Sequence, residues 1–104
     1  MIRIQNYVMA ESLEEAYQLN QNKRSRIIGG MLWLKMSSIA VHTAIDLSRL
    51  GLNKIEETEE EFSIGAMTTL RQLELHEGLN AYANGAVAKA VHDIVGVQFR
   101  NMAT

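Results

Sequence analysis

The sequence predicts one domain that mixes short β-strands with helices, with strands dominant early and helices dominant late. At 104 residues the chain has room for a single core, and 47% hydrophobic against 21% charged residues is the balance of an ordinary globular domain. Alternating apolar and polar runs of strand length recur as far as Ala66. From Leu70 onward apolar residues return at helical spacing instead.

Ile2 to Val8 alternates well enough for a strand. Ser12-Leu13-Glu14-Glu15 then forms a capping box that opens a helix through about Asn20. Asn20-Gln21-Asn22-Lys23 ends that helix, and Ser25 to Ile28 reads as a brief buried strand. Gly29-Gly30 makes a turn, and Met31 to Ser37 is either a short helix or irregular turn structure. Thr43 to Leu47 is a third strand. Lys54 to Thr58 and Glu61 to Ala66 flank a polar turn as a hairpin, with Ile55, Phe62 and Ile64 expected inward. Thr69-Leu70-Arg71-Gln72 is a second capping box. Leu70, Leu73, Leu79, Ala83, Ala86, Val87, Ala90, Val91 and Ile94 line one side of the helical stretch, which Gly78 and Gly85 are expected to divide. That stripe, Leu73 included, is expected to be core. The chain contains no proline, so glycine and asparagine carry the punctuation.

Several function classes fall away on composition. A net charge of −2 gives no clustered basic face for a polyanion. The one basic cluster, Lys23-Arg24-Ser25-Arg26, reads as a solvated loop before a strand. The run Glu56, Glu57, Glu59, Glu60, Glu61 reads as a solvated edge that discourages edge-to-edge pairing. Zero cysteines exclude a disulfide framework and any thiolate-bound zinc or iron–sulfur cluster in this chain. Met-Ile-Arg-Ile-Gln-Asn-Tyr lacks the order of a signal peptide and no apolar run reaches membrane-spanning length, so the expected location is cytoplasmic.

No catalytic set emerges from the side chains. His42, His76 and His92 stand alone, without a second histidine at metal-ligand spacing, and no Gly-x-Ser-x-Gly elbow supports a nucleophile. Asp46 fits turn and cap chemistry after a strand better than catalysis. Met31, Trp33 and Met36 read as an apolar cluster belonging to the core. Gly29-Gly30 remains, placed where a β-branched strand meets an apolar stretch, so that backbone N–H groups can approach a diphosphate with no Cβ between. Alone it lacks the spacing of a dinucleotide fingerprint.

Five segments in order resemble the N-terminal part of the FAD-binding domain of molybdenum hydroxylases, found in xanthine dehydrogenase flavin subunits and the medium subunit of carbon monoxide dehydrogenases. They are SLEEAYQL from Ser12, RIIGGMLWLK from Arg26, HTAIDLSRL from His42, FSIGAMTTLRQLE from Phe62 and VHDIVGVQFRNMAT from Val91. Trp33-Leu34-Lys35 with Val95-Gly96-Val97-Gln98-Phe99-Arg100-Asn101 especially resembles xanthine dehydrogenase FAD subunits of anaerobic bacteria.

The resemblance implies an α+β flavin domain of the vanillyl-alcohol-oxidase (PCMH) type, spanning residues 1–104 as a single domain. Its glycine loop would line the FAD diphosphate with Ile27, Ile28, Gly29, Gly30, Met31, Leu32 and Trp33. Met31-Leu32 stands where the commoner form has Thr-Asp, which leaves phosphate contacts to backbone donors. Ile94, Val95, Gly96, Ala103 and Thr104 would lie against the flavin. The family pattern continues after Ala103-Thr104 into a second glycine loop and subdomain, so a truncated site is expected that does not retain FAD by itself. Apolar surface around Trp33, Val95, Val97 and Phe99 would then favour self-association or docking. The implied partners are molybdopterin and iron–sulfur subunits, with NAD as a possible acceptor. The alternative function is a non-flavin-binding module serving in subunit assembly.

Overall fold

A computed structural model describes residues 1–104 and gathers them into two units, Met1–Leu52 and Asn53–Thr104. Strands and helices alternate in the first, and four of the five α-helices fall in the second, giving an α+β fold.

In the first unit, β1 (Arg3–Met9), β2 (Ser25–Ile28) and β3 (Ala40–Asp46) form a parallel sheet in the order β1-β3-β2. Parallel neighbours cannot be joined by a tight turn. An eleven-residue loop accordingly joins the neighbours β2 and β3, and helix α1 (Leu13–Asn20) carries the chain from β1 to β2 at the opposite edge. The Ser12 hydroxyl accepts the Glu15 N–H at 3.0 Å, as the capping box requires. The returning bond differs, because the Glu15 carboxylate accepts from the Glu11 N–H at 3.2 Å, one residue outside the expected cap.

Only β3 is paired on both sides, and it supplies the buried residues Val41, Thr43, Ala44 and Ile45. Val41 and Ala44 join Ile28 in a core against which Ile2, Ile4, Met31 and Leu34 pack. β2 is less buried than its composition implies. Paired along one edge only, it keeps Ser25 and Ile28 inside while Arg26 and Ile27 are exposed.

The second unit opens with β4 (Ile55–Glu57) and β5 (Phe62–Ile64), an antiparallel pair with Ile55 opposite Ile64 and Glu57 opposite Phe62. Its turn closes through the Thr58 N–H to the Glu61 carbonyl at 2.9 Å, and the Thr58 hydroxyl accepts the Glu61 N–H at 3.1 Å. Ile64 is not inward as expected but 47% exposed. A ribbon this short has little covered surface, and Phe62 takes it through edge-to-face contacts with the rings of His76 and Tyr82.

Helix α2 (Leu70–Leu75) starts with the complete capping box: the Thr69 hydroxyl accepts the Gln72 N–H at 3.1 Å, and the Gln72 side chain accepts the Thr69 N–H at 2.9 Å. Gly78 does not end it. The break comes at His76, extended at ψ 120°, whose ring nitrogen accepts the Leu79 N–H at 3.1 Å and so caps α3 (Glu77–Ala81). Gly78 lies inside α3, where the carboxyl end of the Glu57 side chain occupies the space a Cβ would take. Gly85 does divide the stretch, left-handed at φ 76° before α4 (Ala86–His92), and α5 (Val97–Arg100) follows. Of the expected core stripe only Leu79 is fully buried. Leu70, Leu73, Val87, Val91 and Ile94 are half-buried, and Ala83, Ala86 and Ala90 are exposed, since three short helices cannot keep one continuous face.

What these helices share is the buried carboxylate of Glu74, on α2. Arg100 of α5 donates to it through Nε at 2.9 Å, Arg71 lies 3.0 Å away one turn earlier, and His92 at the end of α4 approaches through Nδ1 at 3.0 Å. Arg100 is itself buried and donates onward to the Ile94 carbonyl at 3.2 Å. Hydrogen bonds from His92, Arg100 and Arg71 lower the Glu74 pKa from 4.5 to about 2.

Two measurements check this account. Leu79→Ala should lose about 2–5 kcal/mol in urea unfolding, and Leu73→Ala clearly less, because only the first side chain is removed from a closed site. A folded-state pKa held below the unfolded value stabilises above the unfolded pKa and is lost as pH falls. The second unit should therefore weaken between pH 4.5 and about 2. In Glu74→Gln, circular dichroism across that range should show a less stable protein whose stability falls less steeply as pH drops.

Candidate functional site

The strands of the first unit end in line. Met9 and Ile28 are each in register with Asp46, so the loops leaving all three strands emerge at one edge of the sheet. The carboxyl ends of parallel strands are where open sheets receive ligands, because the connecting loops there present unpaired backbone groups. Asp46 organises this edge. Its carboxylate accepts from the hydroxyls of Tyr7 and Ser48 and from the Ser48 N–H at 2.8 Å, while its carbonyl accepts the Ala10 N–H at 3.0 Å. With its oxygens occupied by the turn and by β1, Asp46 has the structural role its sequence setting predicts.

The glycine loop leaves the same edge. Its left-handed residue is Met31, at φ 61°, and neither Gly29 nor Gly30 takes a positive φ. Holding a non-glycine residue there costs energy that its surroundings must supply. Met31 is tied at both ends: its side chain packs on the core and its carbonyl accepts the Lys35 N–H at 2.9 Å. A 3₁₀ turn at Leu34–Met36 follows, closed by the Ser37 N–H and hydroxyl on the Leu34 carbonyl at 3.1 and 2.6 Å. The Gly29 and Gly30 amides take no part in these bonds. Two successive amides without side chains, beside a Met31-Leu32 pair that has no oxygen to offer, suit an anion held by backbone donors. The expected apolar cluster is not core, however. Trp33 is 65% and Met36 69% exposed, and only Met31 turns inward.

Ile94, Val95, Gly96, Ala103 and Thr104 lie in the second unit, and Ile27 to Trp33 in the first. Val95 is left-handed at φ 54°, an outlier for a β-branched residue, and is 73% exposed. Gly96 is extended and opens α5. This turn depends on the Glu74 cluster through the Arg100 bond to Ile94. Ala103 is anchored by its carbonyl, which accepts the Leu70 N–H at 2.8 Å, and Thr104 is exposed beside it.

Sequence reasoning missed Glu74 and its partners. The available signal was a carboxylate between Leu73 and Leu75 with Arg71 three residues before it. Met31 and Val95 gave none, since neither residue type advertises a left-handed backbone. No group of three or more histidine, aspartate or glutamate side chains is placed to hold a metal ion, and no helix is long and apolar enough to cross a membrane.

Among solved structures the chain is similar to reconstituted CO dehydrogenase from Oligotropha carboxidovorans, with a TM-score of 0.83 and 25% identity over all of this chain and 39% of that one. It is similar to CO dehydrogenase from Hydrogenophaga pseudoflava, with a TM-score of 0.78 and 27% identity over 98% of this chain and 37% of the other. Quinoline 2-oxidoreductase from Pseudomonas putida 86 shares the fold, with a TM-score of 0.82 at 23% identity over 95% and 36%. The chain thus spans less than two fifths of the length of each. Among curated protein sequences none matches it. The model of the FAD binding domain in molybdopterin dehydrogenase matches residues 2–104, and this chain belongs to that family.

Proposed function

We propose that this chain supplies one part of the FAD site in a molybdenum-hydroxylase flavin subunit of the xanthine dehydrogenase type, located in the cytoplasm. In that reading electrons pass from iron–sulfur clusters on a partner through FAD to NAD or another acceptor. The observation that carries it is the Gly29-Gly30 loop at the carboxyl edge of the parallel sheet, its two amides outside the loop's own hydrogen bonds. FAD, when bound, supplies the redox chemistry, taking up electrons at one partner and releasing them at another.

The chain's own groups bind and orient. Gly29 and Gly30 would donate backbone N–H groups to the diphosphate, and Ile27, Ile28, Met31, Leu32 and Trp33 would shape the loop around it. Ile94, Val95, Gly96, Ala103 and Thr104 would contribute a second stretch against the cofactor. No cysteine is present, so cluster ligands would lie outside these residues, and in this reading partner subunits supply them and the molybdopterin. The chain covers 36–39% of its structural neighbours; in this reading the rest of the cofactor's enclosure would lie outside it, and FAD should bind weakly here alone. The exposed Val95 and Val97 favour a second reading, a module for assembly or self-association that holds no flavin.

A visible spectrum with added FAD and light scattering distinguish the readings. The isolated chain should be colourless, and FAD should be retained once the missing part of the FAD site and the partner subunits are restored. Absence of flavin from the restored complex would leave the assembly reading. Gly29→Ala and Gly30→Ala add a Cβ where φ is not left-handed, so the fold should survive while FAD affinity in that complex drops. Unchanged affinity would remove the loop from the site. Val95→Gly should raise stability in urea, because relief of roughly 1–2 kcal/mol of left-handed strain outweighs the entropy glycine loses, roughly 0.5–1 kcal/mol. It should also weaken FAD retention if the strained turn is part of the site.

A further inference from the structure

The second unit has an open groove of about 650 Å³ between the β4–β5 turn and α3–α4. Leu79 forms its buried floor, and Phe62, Tyr82 and Val87 are its apolar walls. The rim is acidic: Glu57, Glu59, Glu60 and Glu61 line it, and none of the four has an ion-pair partner among the salt bridges, all of which belong to Glu74. The groove is prearranged by contacts already described. Phe62 is held edge-on to Tyr82 with ring centroids 6.0 Å apart, and Gly78 leaves the space that the Glu57 carboxylate occupies.

We propose that this groove docks a segment of a partner protein in which lysine or arginine residues flank an apolar side chain. The two halves of the surface select that chemistry together. A wholly apolar segment would cover Phe62 and Tyr82 but strip water from four carboxylates without return. A small cation lacks a site, since no three carboxylates or histidines converge to hold one. A basic side chain meets both demands: its aliphatic stem lies on the aromatic wall, its head reaches the rim, and the rings attract the cation. The neighbouring apolar residue fills the floor above Leu79.

A second copy of this chain fits less well. Its only basic cluster is Lys23-Arg24-Ser25-Arg26, and the Arg26 guanidinium is already tied to the carbonyls of Lys23 and Ser25 at 2.9 and 2.8 Å.

The test titrates the full isotope-labelled chain, followed by NMR, with three synthetic peptides: one alternating lysine and leucine, one with glutamine for lysine, and one with serine for leucine. Only the lysine–leucine peptide should shift the amides of residues 57–64 and 78–87, with an affinity that falls as salt is added. The exposed triple variant Glu59→Gln, Glu60→Gln, Glu61→Gln should weaken that peptide by about tenfold or more, as loss of several charge contacts requires. Tyr82→Ser, at another exposed position, should weaken it while leaving the fold intact. Equal binding of the glutamine or serine peptide, shifts elsewhere, or indifference to the triple variant would overturn the proposal. Concentration-dependent association of the chain by light scattering, lost in the triple variant, would assign the groove to a second copy instead.

Discussion

Glu74 accepts from cations or donors on α2, α4 and α5, and these short helices have little else that is common to all of them. Beyond Leu79 the second unit buries no large apolar side chain completely; Thr68, Glu74 and Arg100 are its other buried residues. Directional contacts thus replace the bulk of a core. Such contacts depend on geometry: a charge pair out of water is favourable only when every oxygen and N–H finds a partner, which the two arginines, the histidine and the Ile94 carbonyl arrange here. The turn at Ile94–Gly96 inherits its position from that cluster, so a region proposed to face a cofactor is set by a carboxylate many residues away in the chain.

The first unit is organised differently. Its central strand carries the apolar burial, and the three strand ends finish level because Asp46 bonds both to the end of β1 and to the turn after β3. Hydrophobic burial sets the layer, and one buried aspartate sets where the layer stops. The glycine loop begins at that line. Its strain is displaced from the glycines onto Met31, whose side chain is secured in the core as a glycine could not be.

Much of this was legible in the sequence wherever a residue type has one dominant local use. Ser12 and Thr69 marked helix starts, Ser25 to Ile28 fell on its strand, and the ordered segments around Gly29-Gly30 and Val95-Gly96 identified the family. The failures have a common physical origin. Gly78 looks like punctuation, yet lies inside a helix under the Glu57 side chain; Leu73 looks like core, yet the helix ends before its face is covered; Ile64 alternates correctly on a ribbon too short to bury it. Each depends on a neighbour distant in sequence. The glycines of the loop proposed to hold the cofactor stood out in the sequence, whereas the left-handed backbone at Met31 and at Val95 did not.

The level strand ends also determine which connections in the first unit tolerate changes in length. Side chains along a strand alternate between faces, so displacing β2 by one residue against β3 would exchange its inside and outside positions. The polar stretch Asn20–Arg24, exposed throughout, can absorb an added residue before β2 begins and leave the pairing of Ser25 with Thr43 unchanged. Between Ile28 and Met31 there is no such slack, because one end is buried in the sheet and the other is packed on the same core. Length variation is therefore accommodated at the amino end of β2, and the spacing from the sheet edge to the left-handed residue is held constant by packing on both sides.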